Sequence, residues 1–229
     1  RALQVGRRMD PHIGNRYMKR RFLGKLGMGT LAALALAGAS LAQTTDEAPD
    51  ALVKRLSTDV LESIKADKSI QSGDIAKVVA LVESKIMPNV NFERMTASAV
   101  GPGWRQATPE QKKRLQDEFK ILLVRTYAGA LAQVNDQTIS MKPLRASPED
   151  KEVVVKTEVK GRGEPIQLDY RLEKTPGQGA GWKIYNLNVL GVWLVETYRS
   201  QFAQEISAKG IDGLIAALTE RNKTNAKKV

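Results

Sequence analysis

The sequence predicts an α+β fold, in which several helices pack against a curved antiparallel sheet of about four strands. Apolar residues recur with the helical period over residues 49–134, and they alternate with period two over residues 137–190. The helical period then returns from Val195 onward. Helices first, strands next and helices last is an order typical of α+β folds. Residues 43–229 contain no internal repeat and no linker rich in proline, glycine or serine, so we expect a single domain there.

The first predicted helices follow recognisable start and stop signals. Apolar residues at helical spacing after Pro49 predict one helix, and a stricter stripe from about Asp74 to just before Pro88 predicts another. A short helix is expected over residues 92–100, because the segment Gly101-Pro102-Gly103 follows it. The residues of the first two stripes are Leu52, Leu56, Val60 and Ile64, and Ile75, Val78, Val79, Val82 and Ile86.

A longer helix is predicted to begin at a capping box, formed by Thr108 and Gln111 with Pro109 at the first helical position. Its apolar residues cover a wider arc of the helix surface than one core-facing stripe, and they form a second apolar edge. After the strands, residues from Val195 predict another helix that ends near Gly210, followed by a short helix over residues 211–218.

Alternation of apolar and polar residues predicts the strands. Turn-like segments at residues 147–150, 161–163 and 176–181 separate the runs, so we expect an antiparallel meander. The last strand, residues 182–190, is apolar in both directions, with Trp182 and Ile184 expected on one face and Tyr185, Leu187 and Val189 on the other. The earlier runs contain Ile139 and Met141; Val153, Val155, Thr157 and Val159; and Ile166, Leu168, Tyr170 and Leu172.

The first 42 residues are interpreted as a leader. Four basic residues between positions 19 and 25 precede a short apolar run, and Ser40-Leu41-Ala42 has the small-x-small pattern of a secretory cleavage site. The apolar run is shorter than the roughly 20 residues that a membrane-spanning helix needs. We therefore expect residues 1–17 to be an extension upstream of a start at Met18, residues 18–42 to be a signal peptide, and Gln43 to be the mature N-terminus.

The charge balance gives little support to nucleic-acid binding. The formal net charge is +11, but residues 1–42 contain eight basic residues and one acidic residue, which leaves +4 for the remainder. The basic residues of that remainder are spread along the chain, apart from a small cluster at Lys223, Lys227 and Lys228. A nucleic-acid-binding domain usually concentrates its positive charge on one face.

The residue content also restricts the possible chemistry. The sequence contains no cysteine, and its single histidine, His12, precedes the leader. Residues 43–229 thus lack the imidazole and thiol groups that zinc sites and Ser-His triads require, and no metal site or cofactor is expected. Carboxylate catalysis stays possible, with Asp169 as the best candidate, although the strand alternation favours a solvated polar face at that position.

The sequence carries more apolar residues than a simple core needs. The two-sided apolar character of the last strand continues through residues 187–195, and the long helix has its second apolar edge. A two-sided core between helices and sheet is the simpler explanation. The alternative is an apolar cavity between the sheet and the helices, which is the kind of concave site that binds lipophilic ligands.

Short motifs follow one another in a particular order over residues 49–222. They are Gly103-Trp104-Arg105 with Ala107-Thr108 and Gln111; Phe119, Leu122-Leu123 and Thr126-Tyr127; Trp182-Lys183-Ile184-Tyr185; Gly191-Val192; Tyr198-Arg199 with Phe202; and Gly210-Ile211-Asp212-Gly213-Leu214. Together, their order and spacing resemble the MlaC, or toluene-tolerance, family. Asn186 and Trp193 depart from the resemblance, since the family usually has aspartate at the first position and often serine at the second.

The resemblance implies a non-enzymatic periplasmic carrier of glycerophospholipid, with the acyl chains buried and the headgroup exposed. Members of the family shuttle lipid between an outer-membrane lipoprotein–porin complex and an inner-membrane ABC transporter that bears an MCE-domain protein. The implied partners are therefore phospholipid and these two assemblies, with only transient contact with membranes.

We expect the acyl-chain cavity to be lined by ten apolar residues from the last two strands, the following turn and the long helix. They are Leu122, Tyr127, Ile166, Leu168, Tyr170, Leu187, Val189, Val192, Trp193 and Val195. Two other hypotheses remain open from the sequence. One is a small isomerase or hydrolase that uses Asp169, Tyr170 or Tyr185 as acid or base, and the other is a periplasmic adaptor without a ligand.

Overall fold

The computed structural model describes residues 46–226 of the chain. The predicted upstream extension and signal peptide lie outside these residues. Within them, the helices and strands follow the predicted order, and the α+β fold class is confirmed. No helix among the described residues combines the length and the apolar character that crossing a membrane requires.

The helices begin and end close to the sequence signals. The capping box at Thr108 is formed, and Asp74 caps its helix by accepting from the backbone N–H groups of Ala76 and Lys77. The helix that starts at Ile75 continues as a π turn to Ile86 and a 3-10 turn to Asn89. The helices are α1 (Pro49–Ala66), α2 (Lys68–Gln71), α3 (Ile75–Leu81), α4 (Phe92–Val100), α5 (Pro109–Ala132) and α6 (Leu194–Ala226).

The sheet is an antiparallel meander whose strands follow one another in sequence order. It has one strand more than the four runs indicated, because a turn at Leu190-Gly191 folds a two-residue strand back onto the end of the last predicted strand. The strands are β1 (Thr138–Met141), β2 (Glu152–Lys160), β3 (Ile166–Lys174), β4 (Trp182–Val189) and β5 (Val192–Trp193).

A bulge in β4 corrects the predicted distribution of its side chains. Leu172 pairs with Ile184, but Tyr170 pairs with Leu187, so β4 carries one extra residue at Tyr185. A bulge adds one residue to one strand and so shifts the alternation that follows it. The prediction that Ile184 and Leu187 lie on opposite faces is therefore wrong, because they lie on the same face of the sheet, together with Val189.

The sheet consequently has one largely apolar face, which we call the inner face, and one polar face. Register places the following residues on the inner face: Ile139, Met141, Val153, Val155, Thr157, Val159, Ile166, Leu168, Tyr170, Leu172, Ile184, Leu187, Val189 and Val192. The polar face carries Lys156, Gln167, Asp169, Arg171, Asn186 and Asn188, among others. This division is the one expected for an antiparallel sheet with helices on one side.

The helices cover the inner face in two regions. Leu52, Val53 and Leu56 of α1 pack against β2, β3 and the first half of β4. The second half of β4 contacts a separate cluster built from α4, α5 and α6, whose centre is the fully buried ring of Phe119. The rings of Phe92, Tyr198 and Phe202 lie 5.0–5.7 Å from Phe119, in the tilted and edge-on arrangements that aromatic rings prefer.

Helix α6 contains a break where the sequence predicted a helix end. Gly210 has φ of 69° and ψ of −170°, which is not helical, and the chain resumes a helix immediately afterwards. Gly103 lies beneath the break, since a Cβ placed on it would be 3.1 Å from Ile211 Cδ1 and 3.4 Å from Ile206 Cδ1. The absence of a side chain at Gly103 thus lets the backbone approach both segments of α6 closely.

The two edges of the sheet are short. At one edge β1 has four residues, and at the other β5 has two. The outer edge of β4 is also partly covered, because Val90 forms a parallel bridge with Ile184 and the backbone N–H of Asn91 donates to Ile184 O at 2.8 Å. Strand β3 pairs with β2 and β4, whereas β2 pairs with β1 only over residues 157–160.

Candidate functional site

Four of the predicted pocket residues form a contiguous patch on the inner face. Leu168 pairs with Val189 and Tyr170 pairs with Leu187, so their side chains are neighbours across β3 and β4. Each of these four side chains is only partly buried, although the patch faces the helical side of the sheet. Apolar side chains in a well-filled core lose nearly all their exposure, so this part of the inner face is not completely covered.

Tyr170 marks the deep part of the patch. It is partly buried and packs against the cluster formed by α1 and the sheet. Its hydroxyl lies 3.4 Å from Ser57 Oγ on α1, and burial raises the pKa of Tyr170. The phenol is thus neutral at pH 7, and it offers a weak polar contact in apolar surroundings.

Tyr127 lies on α5, within the helical part of the structure. It is half-buried, and it packs against the same helical cluster as Leu187 and Val189. Burial, with a smaller contribution from Tyr198, raises the pKa of the Tyr127 phenol. Tyr127 and two of the four patch residues, Leu187 and Val189, therefore pack against one helical cluster.

Three apolar side chains form an exposed rim beside the patch. Ile166 at the start of β3, Leu190 in the β4–β5 turn and Val192 on β5 are 40%, 64% and 51% exposed. Val189 pairs with Val192, and the backbone N–H of Leu190 donates to Gln167 O at 3.0 Å, which holds the rim against β3 and β4. Exposed apolar groups in contact with a half-buried apolar patch are a typical feature of the mouth of a binding site.

Leu190 also has an unusual backbone. Its φ is 51°, and it is the non-glycine residue with positive φ among the described residues. A left-handed conformation costs about 1 kcal/mol or more for a residue with a Cβ. We therefore expect Leu190→Gly to raise the free energy of unfolding of the lipid-free protein by about 0.5–1 kcal/mol, measured by urea denaturation. Leu190→Ala, which keeps the Cβ and the strain, is the control, and a loss of stability in the glycine variant would contradict the assignment of strain.

Three other predicted pocket residues lie elsewhere. Leu122 is fully buried and Val195 is 7% exposed, and both belong to the packed helical cluster. Trp193 lies on the polar face, where the Arg171 guanidinium carbon is 4.0 Å from its ring centroid. Leu122 and Val195 are thus buried members of the cluster that Leu187 and Val189 contact, whereas Trp193 lies on the opposite face of the sheet.

Asp169 is not on a solvated face, contrary to the expectation from strand alternation. It lies on the polar face, but it is only 5% exposed, as are its buried neighbours Asn186 and Asn188 at 1% and 4%. Gln167 Nε2 donates to Asp169 Oδ2 at 2.9 Å, whereas Oδ1 has no partner among the described residues. On the same face, Glu196 at the start of α6 contacts Asn186 and Arg171, and Trp193 of β5 pairs with Asn188.

Asn186 fixes the start of α6. Its Oδ1 accepts from Leu187 N at 2.9 Å and from Val195 N at 3.2 Å, while its Nδ2 donates to Glu196 at 2.8 Å. It thus supplies the acceptor that a helix N-terminus needs, from a strand instead of from the preceding residue. In the sequence, Asn186 stands out as an amide side chain within an otherwise apolar strand. The sequence pattern does not indicate which groups this amide binds.

The residues of the enzymatic alternative do not converge. Asp169 and Tyr170 are consecutive in β3, so their side chains emerge on opposite faces. Tyr185 lies in the bulge, donates to Glu152 Oε2 at 2.9 Å and stacks beneath Arg94 at 3.6 Å. The described residues also contain no group of three histidine, cysteine, aspartate or glutamate side chains arranged to hold a metal ion.

Comparison with known proteins gives the family. The model of the MlaC protein family matches residues 54–220. This range includes the inner face, the rim and the buried residues of the helical cluster around Phe119. The chain belongs to the MlaC family. The resemblance found in the sequence motifs is thereby confirmed.

Individual relatives agree with this assignment. The MlaC-family chain is 29% identical over 179 residues to the toluene tolerance protein Ttg2D of Pseudomonas putida, covering 77% of this chain and 81% of that protein. It is 22% identical over 192 residues to the intermembrane phospholipid transport system binding protein MlaC of Haemophilus influenzae, covering 83% and 88%.

One solved structure matches this chain over almost the whole length of the solved protein. The phospholipid-binding protein of Ralstonia solanacearum, determined in complex with a phospholipid, is 50% identical to this MlaC-family chain. The match covers 77% of this chain and 98% of that one, with a TM-score of 0.74. The chain therefore shares the fold of that phospholipid-binding protein.

Proposed function

We propose that the protein is a periplasmic carrier that binds a glycerophospholipid with the acyl chains against the inner face and the headgroup outside. The observation that carries this proposal is the 50% identity to a protein solved with a bound phospholipid. The incompletely covered patch around Tyr170 and Leu187, with its exposed apolar rim, provides a suitable surface in this chain.

The proposed pocket comprises seven of the ten predicted residues. Ile166, Leu168, Tyr170, Leu187, Val189 and Val192 share the inner face by register, and Tyr127 on α5 packs against the helical cluster that Leu187 and Val189 also contact. Rim residues such as Val192 would contact the parts of the chains nearest the headgroup. We propose that the acyl chains occupy an apolar cavity between the sheet and the helices.

The energetics of such a complex explain why a carrier needs partners. Each methylene moved out of water contributes about 0.8 kcal/mol, so two chains of roughly 15 methylenes contribute on the order of 20 kcal/mol. That is close to the practical limit of non-covalent affinity, and spontaneous release into water is correspondingly slow. Transfer therefore requires a docked acceptor that offers the chains another apolar environment.

The proposed acceptors and donors are those of the Mla system. They are an inner-membrane ABC transporter with an MCE-domain protein and an outer-membrane lipoprotein–porin complex, between which the carrier shuttles. The relatives named for toluene tolerance and intermembrane phospholipid transport support this assignment. A non-enzymatic role agrees with the separation of Asp169, Tyr170 and Tyr185 in the structure.

The proposal predicts that protein purified gently from a bacterial host contains glycerophospholipid with little selectivity for the headgroup. The expected stoichiometry is about one lipid per chain, because buried acyl chains dissociate slowly. Native mass spectrometry gives the ratio, and extraction followed by lipid mass spectrometry identifies the species. Lipid-free protein that also takes up no lipid from vesicles would show that the proposed function is wrong.

A further inference from the structure

A cavity lies outside the proposed lipid site. It has a volume of about 450 Å³ and is formed by α4, the turn that follows it and the first half of α6. Two motifs far apart in sequence meet there: Trp104-Arg105 in the turn and Arg199 on α6. None of the residues that line it belongs to the inner face of the sheet.

The cavity is strongly positive. Three arginines, Arg94, Arg105 and Arg199, line it together with the indole of Trp104, and none of the lining residues is acidic. Lys112 adds a fourth cation, with its Nζ 5.5 Å from the centroid of the Trp104 ring. The four cationic side chains come from α4, the turn, α5 and α6.

Only one of the three arginines is neutralised within the described part of the chain. Arg94 pairs with Glu152 and Glu173 across the edge of the sheet. Arg105 and Arg199 are exposed, and neither lies within 4.0 Å of a carboxylate among residues 46–226. Their guanidinium groups therefore remain available to bind carboxylates bidentately.

We propose that this cavity is a docking surface for an acidic segment of a partner protein, whose carboxylates pair with Arg105 and Arg199 and whose side chains pack on Trp104. Arginine and tryptophan are the residue types that contribute most often to the binding energy of protein–protein interfaces. Trp104 is held rigidly, since it packs against the helical core cluster. A rigid aromatic side chain beside two free arginines is suited to an extended acidic peptide segment.

The geometry favours a macromolecular partner over a free anion. A site for a small anion normally holds it with several buried donors, whereas Arg105 and Arg199 are both exposed. Exposed cations gain little from a single ion in water. A protein partner instead excludes water from the whole cavity and engages both arginines at once.

This docking surface is separate from the proposed lipid site and does not depend on lipid being bound. Arg94, at one wall of the cavity, contacts Tyr185 and Glu152 near the polar face, away from the Leu187–Val189 patch. A partner bound here would leave the rim at Val192 free. The two proposals can therefore fail independently.

The test uses a fluorescein-labelled, glutamate-rich peptide with one tyrosine, and measures its binding to the purified protein by fluorescence anisotropy. The double variant Arg105→Glu/Arg199→Glu should weaken binding by about tenfold or more, because two attractive pairs become repulsive. Wild-type binding should also weaken as the salt concentration rises from about 50 to 300 mM. Copurified lipid and the melting temperature should stay at wild-type values.

The matched control is Arg114→Glu/Arg145→Glu, which makes the same charge change at two exposed arginines outside the cavity. It should alter the peptide affinity by less than about threefold, as expected for longer-range electrostatics alone. Equal losses in both double variants, or no binding by the wild-type protein, would overturn the docking surface. Competition by inorganic phosphate at low millimolar concentration would overturn it in favour of a free-anion site.

Discussion

Val192→Glu is expected to fold normally and to lose its copurified phospholipid. Val192 is half-exposed at the rim, so a carboxylate there can stay hydrated in the lipid-free protein. In the lipid complex, the same carboxylate would lie against acyl chains, where an unpaired charge costs several kcal/mol unless it is protonated or reaches water. Because each 1.4 kcal/mol is a factor of ten, we expect the lipid content after purification to fall by at least about tenfold.

The chain contains a matched control for this experiment. Val154 is 40% exposed and carries the same side chain, but it lies on the polar face of the sheet, paired with Arg171. Val154→Glu should therefore keep the full lipid content. Lipid mass spectrometry and circular dichroism of both variants give the result. A Val192→Glu protein that folds and keeps its lipid would show that the rim is not part of the binding site, and one that unfolds would assign Val192 to the core.

Phe119→Ala is expected to produce the largest loss of stability of any single truncation considered. Phe119 is fully buried, and three aromatic rings surround it at centroid distances of 5.0–5.7 Å. Truncating a buried phenylalanine leaves a cavity and typically costs about 3–5 kcal/mol. That is a large part of the roughly 5–15 kcal/mol that stabilises a domain. The midpoint of guanidinium denaturation, with lipid removed, measures the effect.

Two further variants keep this prediction testable if the alanine variant cannot be purified. Phe119→Leu fills more of the space and should cost about half as much or less. Ile166→Ala removes an apolar side chain from an exposed position and should change the free energy of unfolding by about 1 kcal/mol or less. Similar losses for Phe119→Leu and Ile166→Ala would indicate that the aromatic cluster is not the centre of the helical core.

The sequence predicted the elements well because their signals are local. The capping box at Thr108, the glycine-containing stop after Val100 and the alternation in β3 each depend on residues within a few positions of one another. The structure places these elements with their predicted types and nearly their predicted bounds. The family resemblance rests on longer-range spacing, and the match over residues 54–220 agrees with it.

The faces of β4 could not be predicted, because the extra residue at Tyr185 gives no local signal. Simple alternation along the strand places Leu187 and Ile184 on opposite faces of the sheet. The pairing with β3 instead places both side chains on the same face. The burial of Asp169 also could not be predicted, because alternation along β3 indicates which face a residue occupies but not whether that face is covered. Composition also could not show that Arg105 and Arg199, nearly a hundred positions apart, line one cavity.

The short edges of the sheet bear on how the protein behaves when it is abundant. A strand at the edge of a sheet exposes unpaired backbone groups that can recruit a strand from another molecule, which is a route to aggregation. Here β1 offers four residues and β5 only two, and the bridge at Val90 covers part of the β4 edge. The outermost strands therefore offer a second copy few backbone groups for pairing, even though the chain exposes the apolar side chains of Ile166, Leu190 and Val192.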